Sequence, residues 1–282
     1  MTWVLLGGVS WAQEASPTAE TITLRRDVIY GTIEGVQLTM DIALPKSGNG
    51  AAVLLIHGGG WSEGDKSQLA GEIKTMARRG YVAASVGYRL APMYRFPAAV
   101  HDVRLAVRYL RRQASELGFE PERIGAVGFS AGAHLAMMLA TTDADDFELV
   151  GGLEDQSPKV AAAVSYFGPT QLTSDSIPAP SVEILRRFLG ASRDENPAVY
   201  RTASPITYLD SSDCPMLLFQ GTTDPLVPYG QAIEMVRAMD ENNIAGRVEI
   251  IAGASHGWGG QELDRTRAAT MEFLRRYVVS QP

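Results

Sequence analysis

The sequence predicts an α/β fold: a mostly parallel central sheet with helices on both faces, antiparallel strands at its N-terminal side and a small lid insertion. Three observations carry this. Apolar strand-like runs alternate with longer helix-like stretches along most of the chain, the mark of crossover units in a parallel sheet. Those runs, such as Ala51 to Ile56 (AAVLLI) and Pro215 to Gln220 (PMLLFQ), are continuously apolar, Gln220 apart, rather than apolar at every second position, as strands buried on both faces are. Residues 128–132 read GFSAG, a Ser on a sharp strand-to-helix turn.

The elements follow in order. Thr21 to Gly31 (TITLRRDVIYG) and Val36 to Leu44 (VQLTMDIAL), split by Glu34-Gly35, read as a leading antiparallel hairpin. Strand 51–57 precedes helix 67–79. Strand 81–87 precedes helix 97–114, and strand 123–129 precedes helix 131–142. Strand 160–167 runs into an insertion, Gly168 to Asp213, rich in Pro, Ser and Asp, with one helix-like piece at Val182 to Leu189. Connections this long are usually functional, so 168–213 reads as a partial cap over a pocket. Strand 215–221, helix 229–242, strand 247–252 and helix 262–279 complete one domain over 21–282.

The turn at GFSAG gives the first chemistry. A strand ending at Phe129 and a helix starting at Ala131 hold Ser130 in a strained conformation with its hydroxyl lifted clear of the sheet. Gly128, Gly132 and Ala133 supply the small neighbours this needs. Alone, the pattern is also met as a glycine-rich turn with an incidental Ser.

Upstream, strand 51–57 ends in His57-Gly-Gly-Gly-Trp61. Three glycines in a row cost backbone entropy, and close approach of an anionic oxygen to bare N–H groups would account for them. Gly59 and Gly60 are the expected donors, joined by the N–H of Ala131. A plain flexible loop is the other reading; a phosphate loop is not supported, because no Lys-Ser/Thr follows at the required spacing.

A Ser nucleophile needs a base, and the base an orienting acid. Of the four histidines, His57 reads as a support for the glycine loop, His101 as part of a helix and His134 as packing one turn past Ser130. His256 follows a clear strand in the loop Gly253-Ala-Ser-His-Gly-Trp258, at the carboxyl end of the sheet, where open α/β sheets bind ligands. Asp224, in Gly221-Thr-Thr-Asp-Pro225, follows strand 215–221 and is the expected acid. An Asp before Pro is also a common turn residue. Asp210 and Asp213 precede that strand and fall at its wrong end. Glu63 and Asp65 read as turn residues. Ser, Asp and His, each after its own strand and in that order, form a more specific signal than any single motif.

Together these motifs make the chain resemble an α/β-hydrolase of the esterase/lipase group related to hormone-sensitive lipase, most of all its smaller bacterial feruloyl- and acetyl-esterase-like (BD-FAE-type) members. The residues that carry the resemblance are His57-Gly-Gly-Gly-Trp61, Tyr88-Arg-Leu-Ala-Pro92, Phe96-Pro97, Gly128-Phe-Ser-Ala-Gly132, Gly221-Thr-Thr-Asp224 and His256-Gly257. It implies Ser130, Asp224 and His256 as a catalytic triad, Gly59, Gly60 and Ala131 as the oxyanion hole, and a polar network involving Arg89, with Asp102 as its expected partner. The expected activity is hydrolysis of short-chain, aryl or sugar carboxylic esters through an acyl-enzyme on Ser130, with no metal or cofactor. A kynurenine-formamidase-like amide hydrolase is the alternative. A peptidase fits less well, since oligopeptidase relatives carry a propeller that this length does not hold. A binding module would be expected to lack a triad residue. Trp61, Phe167, Leu226 and Trp258 flank catalytic elements and are expected pocket residues. Many relatives open with a helical cap; here two strands stand in its place, which predicts a more open site and favours the feruloyl/acetyl branch.

Composition sets the outer bounds. The chain has 282 residues, 45% of them hydrophobic, and a formal net charge of −7, which offers no electrostatic footprint for nucleic acid. The pairs Arg78-Arg79, Arg111-Arg112, Arg186-Arg187 and Arg275-Arg276 read as solvated helix faces or C-terminal helix charges. One cysteine, Cys214, permits no intrachain disulfide. Residues 1–20 resemble the end of a signal peptide: Val4 to Ala12 is apolar and closes on Ser10-Trp-Ala12, though no basic residues precede it. Export to the periplasm or medium is the expectation, a cytoplasmic protein the alternative. No stretch is long enough to span a membrane. The expected partner is a small-molecule or polysaccharide-linked ester; oligomeric state is not legible.

Overall fold

A computed structural model describes residues 22–280; the leader expected at 1–20 lies outside the described residues. Eight strands form one sheet in the order β1-β2-β4-β3-β5-β6-β7-β8. Strands β1 (Thr23–Ile33) and β2 (Val36–Leu44) form the expected hairpin, and β2 joins β4 (Val82–Val86) antiparallel. From β4 onward all pairings are parallel, through β3 (Ala52–Ile56), β5 (Ile124–Phe129), β6 (Ala162–Tyr166), β7 (Met216–Gly221) and β8 (Gly246–Ile251). This is the α/β-hydrolase architecture.

The continuous apolar strands have a direct cause. Along β3, Ala52, Leu54 and Ile56 join one core while Val53 and Leu55 join another on the opposite face. Helices α2 (Ala98–Arg112) and α4 (Ala131–Thr141) cover the first face. Helices α1 (Ala70–Arg78) and α8 (Gly260–Leu274) cover the second. A short helix α3 (Ala114–Leu117) continues from α2 past Gln113 and stops at Gly118 in left-handed conformation. Helix α7 (Tyr229–Glu241) packs Met235 and Met239 against β6 and β7. The expected helix 67–79 begins as a 3-10 turn, Lys66–Leu69, capped by Asp65. The expected helix 262–279 ends in a wider π turn over Arg275–Val279.

Two expectations need correction. The insertion holds two helices and a 3-10 turn rather than one helical piece: α5 (Ala179–Leu189), α6 (Pro197–Thr202) and Pro205–Tyr208. Pro197 at the first position and Asn196 as cap start α6, so the Pro and polar residues that read as loop are helix-start signals. Arg111 is not a solvated helix-end charge; it is buried. It donates to the carbonyls of Pro121, Ser157 and Lys159. Arg104 and Arg108, on the same face of α2, are buried as well and bind the carbonyls of Asp143, Ala144 and Gly152. The loop between α4 and β6 has few backbone partners of its own, and three guanidinium groups supply them. Among the described residues no helix is long and apolar enough to cross a membrane.

Candidate active site

Strand β5 lies between β3 and β6 and delivers Ser130 to the carboxyl end of the sheet. Ser130 has φ 53° and ψ −119°, a conformation that side chains other than glycine rarely adopt. The close packing around it explains its neighbours. A Cβ on Gly132 would stand 2.1 Å from the Ile56 carbonyl oxygen, and one on Gly128 would stand 2.0 Å from that of Gly132. Ser130 N–H donates to the Tyr166 carbonyl at 2.9 Å, tying the turn to β6. Helix α4 starts at the next residue, so its N-terminal dipole faces the hydroxyl.

Two loops from the far half of the sheet close on this hydroxyl. His256, after β8, places Nε2 2.8 Å from Ser130 Oγ and Nδ1 2.8 Å from Asp224 Oδ2. Asp224, after β7, has a fully buried side chain. Its Oδ1 accepts the N–H groups of Leu226 and Val227, and its Oδ2 accepts Gln220 Nε2 at 2.8 Å. A carboxylate accepts only, so His256 Nδ1 carries the proton and Nε2 is free to accept from Ser130. Burial alone would raise the Asp224 carboxyl; hydrogen bonds from His256, Val227 and Leu226 outweigh it and hold the group below its ordinary value. Gln220 also binds the Val227 carbonyl at 2.9 Å, so it fixes both the acid and the turn that holds it. It was not foreseen: one polar residue inside an apolar strand is its only sequence signal.

The glycine loop runs alongside. Gly58 backs onto the turn, where a Cβ would lie 2.8 Å from the Phe129 carbonyl oxygen. Gly59 has φ 113°, and its carbonyl accepts from Ser62 and Glu63, turning the chain. Among the described residues, the N–H groups of Gly59, Gly60 and Ala131 donate to no protein acceptor. His57 stacks on Tyr88 with ring centroids 4.4 Å apart, and its Nδ1 lies 2.7 Å from the Gly58 carbonyl. Burial lowers its pKa, and its place is beneath the loop rather than in the hydrogen-bond chain.

Trp61 ties this loop to the insertion. Its ring stacks on Phe188 of α5 at 4.2 Å, and its indole N–H donates to His134 Nδ1 at 3.2 Å. Nδ1 therefore accepts, and Nε2–H of His134 donates to the Ala203 carbonyl at 2.7 Å. Burial pushes His134 down to about 4, so the ring is neutral. Helix α5 closes one side of a cavity of about 70 Å³ that has Ser130 and His256 in its wall. Leu172, Ile177, Ile184 and Leu226 make it apolar, with Trp61 beside the glycine loop.

Two of the four expected pocket residues, Trp61 and Leu226, line this cavity; Phe167 and Trp258 do not. Phe167 has φ 48°, which turns its ring against the edge of His256 at 4.8 Å. Trp258 packs behind Phe167 and donates to the Thr266 hydroxyl. Both support the imidazole from outside the cavity. Asp210 and Asp213 stand ahead of β7, away from the site, where Asp210 N–H binds Asp213. Arg89 pairs with buried Asp102 at 2.9 Å and with Glu34 at the hairpin turn, linking hairpin to α2. Burial pushes the Cys214 thiol up to about 12, which leaves it unreactive.

The BD-FAE family model matches residues 40–239, most of the chain. The chain belongs to the BD-FAE family. Ser130 and Asp224 lie inside the matched span and His256 beyond it. This BD-FAE chain is 34% identical over 189 residues to the esterase LipQ of Mycobacterium tuberculosis, covering 66% of this chain and 45% of that one. It is 30% identical over 248 residues to the ethyl acetate hydrolase of Pseudomonas putida, covering 81% and 74%. It spans about half the length of LipQ and 60% of LipM, a probable carboxylic ester hydrolase from M. tuberculosis. Among solved structures, the propionate-bound esterase Est2 of Thermogutta terrifontis superposes with a TM-score of 0.76 at 26% identity, covering 94% of this chain and 97% of that one. A truncated carbohydrate esterase from gut microbiota gives a TM-score of 0.77, covering 92% and 99%; at 24% identity it shares the fold.

Proposed function

We propose that this chain is a serine carboxylesterase acting on short-chain esters through an acyl-enzyme on Ser130. One observation carries the reading: an unbroken hydrogen-bond chain from Ser130 through His256 to a buried Asp224, at the wall of a small apolar cavity. His256 Nε2 takes the hydroxyl proton as Ser130 Oγ attacks the ester carbonyl carbon. Asp224 keeps Nδ1 protonated and stabilises the imidazolium. The unpaired N–H groups of Gly59, Gly60 and Ala131 receive the oxyanion, where fixed donors act most strongly. The alcohol leaves with the proton from His256. Water then adds to the acyl carbon, giving its proton to the same nitrogen, and Ser130 is released with the carboxylic acid.

The cavity volume supports a short group. The likeness to an ethyl acetate hydrolase and to a propionate-bound esterase points the same way. Aryl and sugar esters remain within the proposal on the alcohol side. The formamide alternative draws on a 30% identity over 184 residues to the kynurenine formamidase of Danio rerio.

The test is a p-nitrophenyl ester series from acetate to octanoate, with methyl ferulate, acetylated xylan and formylkynurenine beside it. Short esters should turn over fastest, and Ser130→Ala should lose activity by roughly 10,000-fold or more while staying folded. Cleavage of formylkynurenine with no ester turned over would transfer the reading to the amidase, and a fully active Ser130→Ala would end it.

A further inference from the structure

A second cavity adjoins the one that holds Ser130. It lies within the insertion and measures about 220 Å³, against about 70 Å³ for the first. Leu172, Ile177 and Leu185 border both, whereas Gly60, Trp61, Ser130 and His256 border only the first. Within the protein, these shared side chains stand between the reacting hydroxyl and the larger space. Ile177 is half-buried and Leu185 is 4% exposed; Leu172, at 0%, backs them.

The partition is anchored on both sides. Ile177 stands just ahead of α5, and Leu185 lies in its second half. The helix is tied at its start by Ser181, whose hydroxyl donates to the Leu226 carbonyl at 2.8 Å. Near its end, Phe188 stacks on Trp61. The segment before Ile177 is held by Arg193. Its Nη1 donates to the carbonyls of Thr173 and Ser174, both at 2.9 Å, and its Nη2 pairs with Asp175 at 2.9 Å. A chain pressing on Ile177 therefore meets a side chain on fixed backbone, and crowding such a site is costly. Beyond the partition, Val182 and Tyr200 add apolar surface to that of Leu172, Ile177 and Leu185. A hydrocarbon end that reached this space would find contacts there.

We propose that Ile177 and Leu185 set the upper length limit of the substrate chain, by closing the catalytic cavity off from the larger one. This rests on the esterase reading above. A chain that ends before the partition fits; further methylenes collide with it. Trimming either side chain joins the two spaces and lets longer ends through. The chain is an unbranched hydrocarbon, from the acyl group or from the alcohol, whichever enters the cavity.

Two ester series separate those sources. p-Nitrophenyl acetate through decanoate varies the acyl chain, and ethyl through octyl acetate varies the alcohol. Wild-type kcat/KM should fall steeply beyond the short members in one series. In that series, Ile177→Ala and Leu185→Ala should each raise the ratio of the eight-carbon to the four-carbon member by about tenfold. Ile177→Phe should lower the ratio and move the limit to shorter chains. A gain on long chains is not what general loss of structure produces. Leu226→Ala removes similar volume but borders only the first cavity, so it should move the ratio far less. Wild type that turns over eight-carbon and four-carbon members equally in both series would overturn the proposal without any variant. So would wild-type ratios in both Ile177→Ala and Leu185→Ala, or an equal gain in Leu226→Ala. Each of these outcomes removes the partition alone and leaves the esterase reading standing. No turnover of any ester by wild type removes that reading with it.

Discussion

His134 is the test of whether the glycine loop and the insertion are held together as described. Replacing it with Leu fills similar volume but leaves the Trp61 indole N–H and the Ala203 carbonyl without partners, in a region where His134 and Ala203 are 0% exposed and Trp61 3%. An unmade hydrogen bond at a buried group costs about 1–3 kcal/mol, so the two together come to ~2–6 kcal/mol. That is a large share of the ~5–15 kcal/mol that holds a domain folded. Urea unfolding at pH 7.5 should show a lower midpoint for His134→Leu with an unchanged slope, and partial recovery in His134→Gln, whose amide can both accept and donate. The pH arm has a definite sign. Burial holds the native ring at about 4 against an ordinary 6.5, so below pH 6.5 the unfolded chain binds a proton that the native one refuses. Stability therefore falls as pH drops from 6.5 towards 4, by ~3 kcal/mol for this ring. His134→Gln should lose that part of the slope and keep the part due to His101, which burial and nearby arginines also push down to about 4. A His134→Leu protein within about 0.5 kcal/mol of wild type, with the same pH slope, would refute the reasoning.

Gly132→Ala sets a methyl against the carbonyl oxygens of Ile56 and His57 at 2.1 and 2.4 Å, so it should destabilise by ~3 kcal/mol or yield no soluble protein; a wild-type melting temperature would contradict this. Gln220→Leu frees one side of Asp224 and orphans the Val227 carbonyl, so kcat should drop about tenfold with little change in KM, read from steady-state kinetics. Because Asp224 is held below the ordinary carboxylate range, its ionised form adds stability above the unfolded carboxyl pKa and loses it as pH falls through the folded value. Asp224→Asn should remove that acid limb below about pH 4 in unfolding titrations, and lower kcat at neutral pH by roughly 10,000-fold.

The strands were legible because parallel strands packed on both faces are apolar at nearly every position, and β3, β4 and β6 are buried throughout. The positions of Ser130, Asp224 and His256 were legible because each sits in the turn or loop that follows a strand, at the carboxyl end of the sheet. What sequence hid was the polar group acting inside an apolar setting. Gln220 is a single residue with no period, and its partners are the Asp224 side chain and the Val227 carbonyl in the turn that follows. Arg104, Arg108 and Arg111 recur at helical spacing on the buried face of α2, a signal that was present but masked by the general solvation of helix-end arginines. Trp258 misled because nearness in sequence to His256 says nothing about side-chain direction, and Phe167 because its place just past β6 says no more. The left-handed backbone at Phe167 settles that, and no residue type announces it.

The two ends of the Ser130–His256 hydrogen bond rest on unequal foundations. Ser130 follows a strand flanked on both sides, whereas His256 follows β8, an edge strand of the sheet, bonded to β7 alone and largely exposed along its length. Outer strands open at lower free energy than central ones. The machine thus has a fixed anvil and a hammer hung on its loosest hinge: on warming, silence of the chemistry should come before any collapse of the body, as the hammer swings away from an anvil still in place.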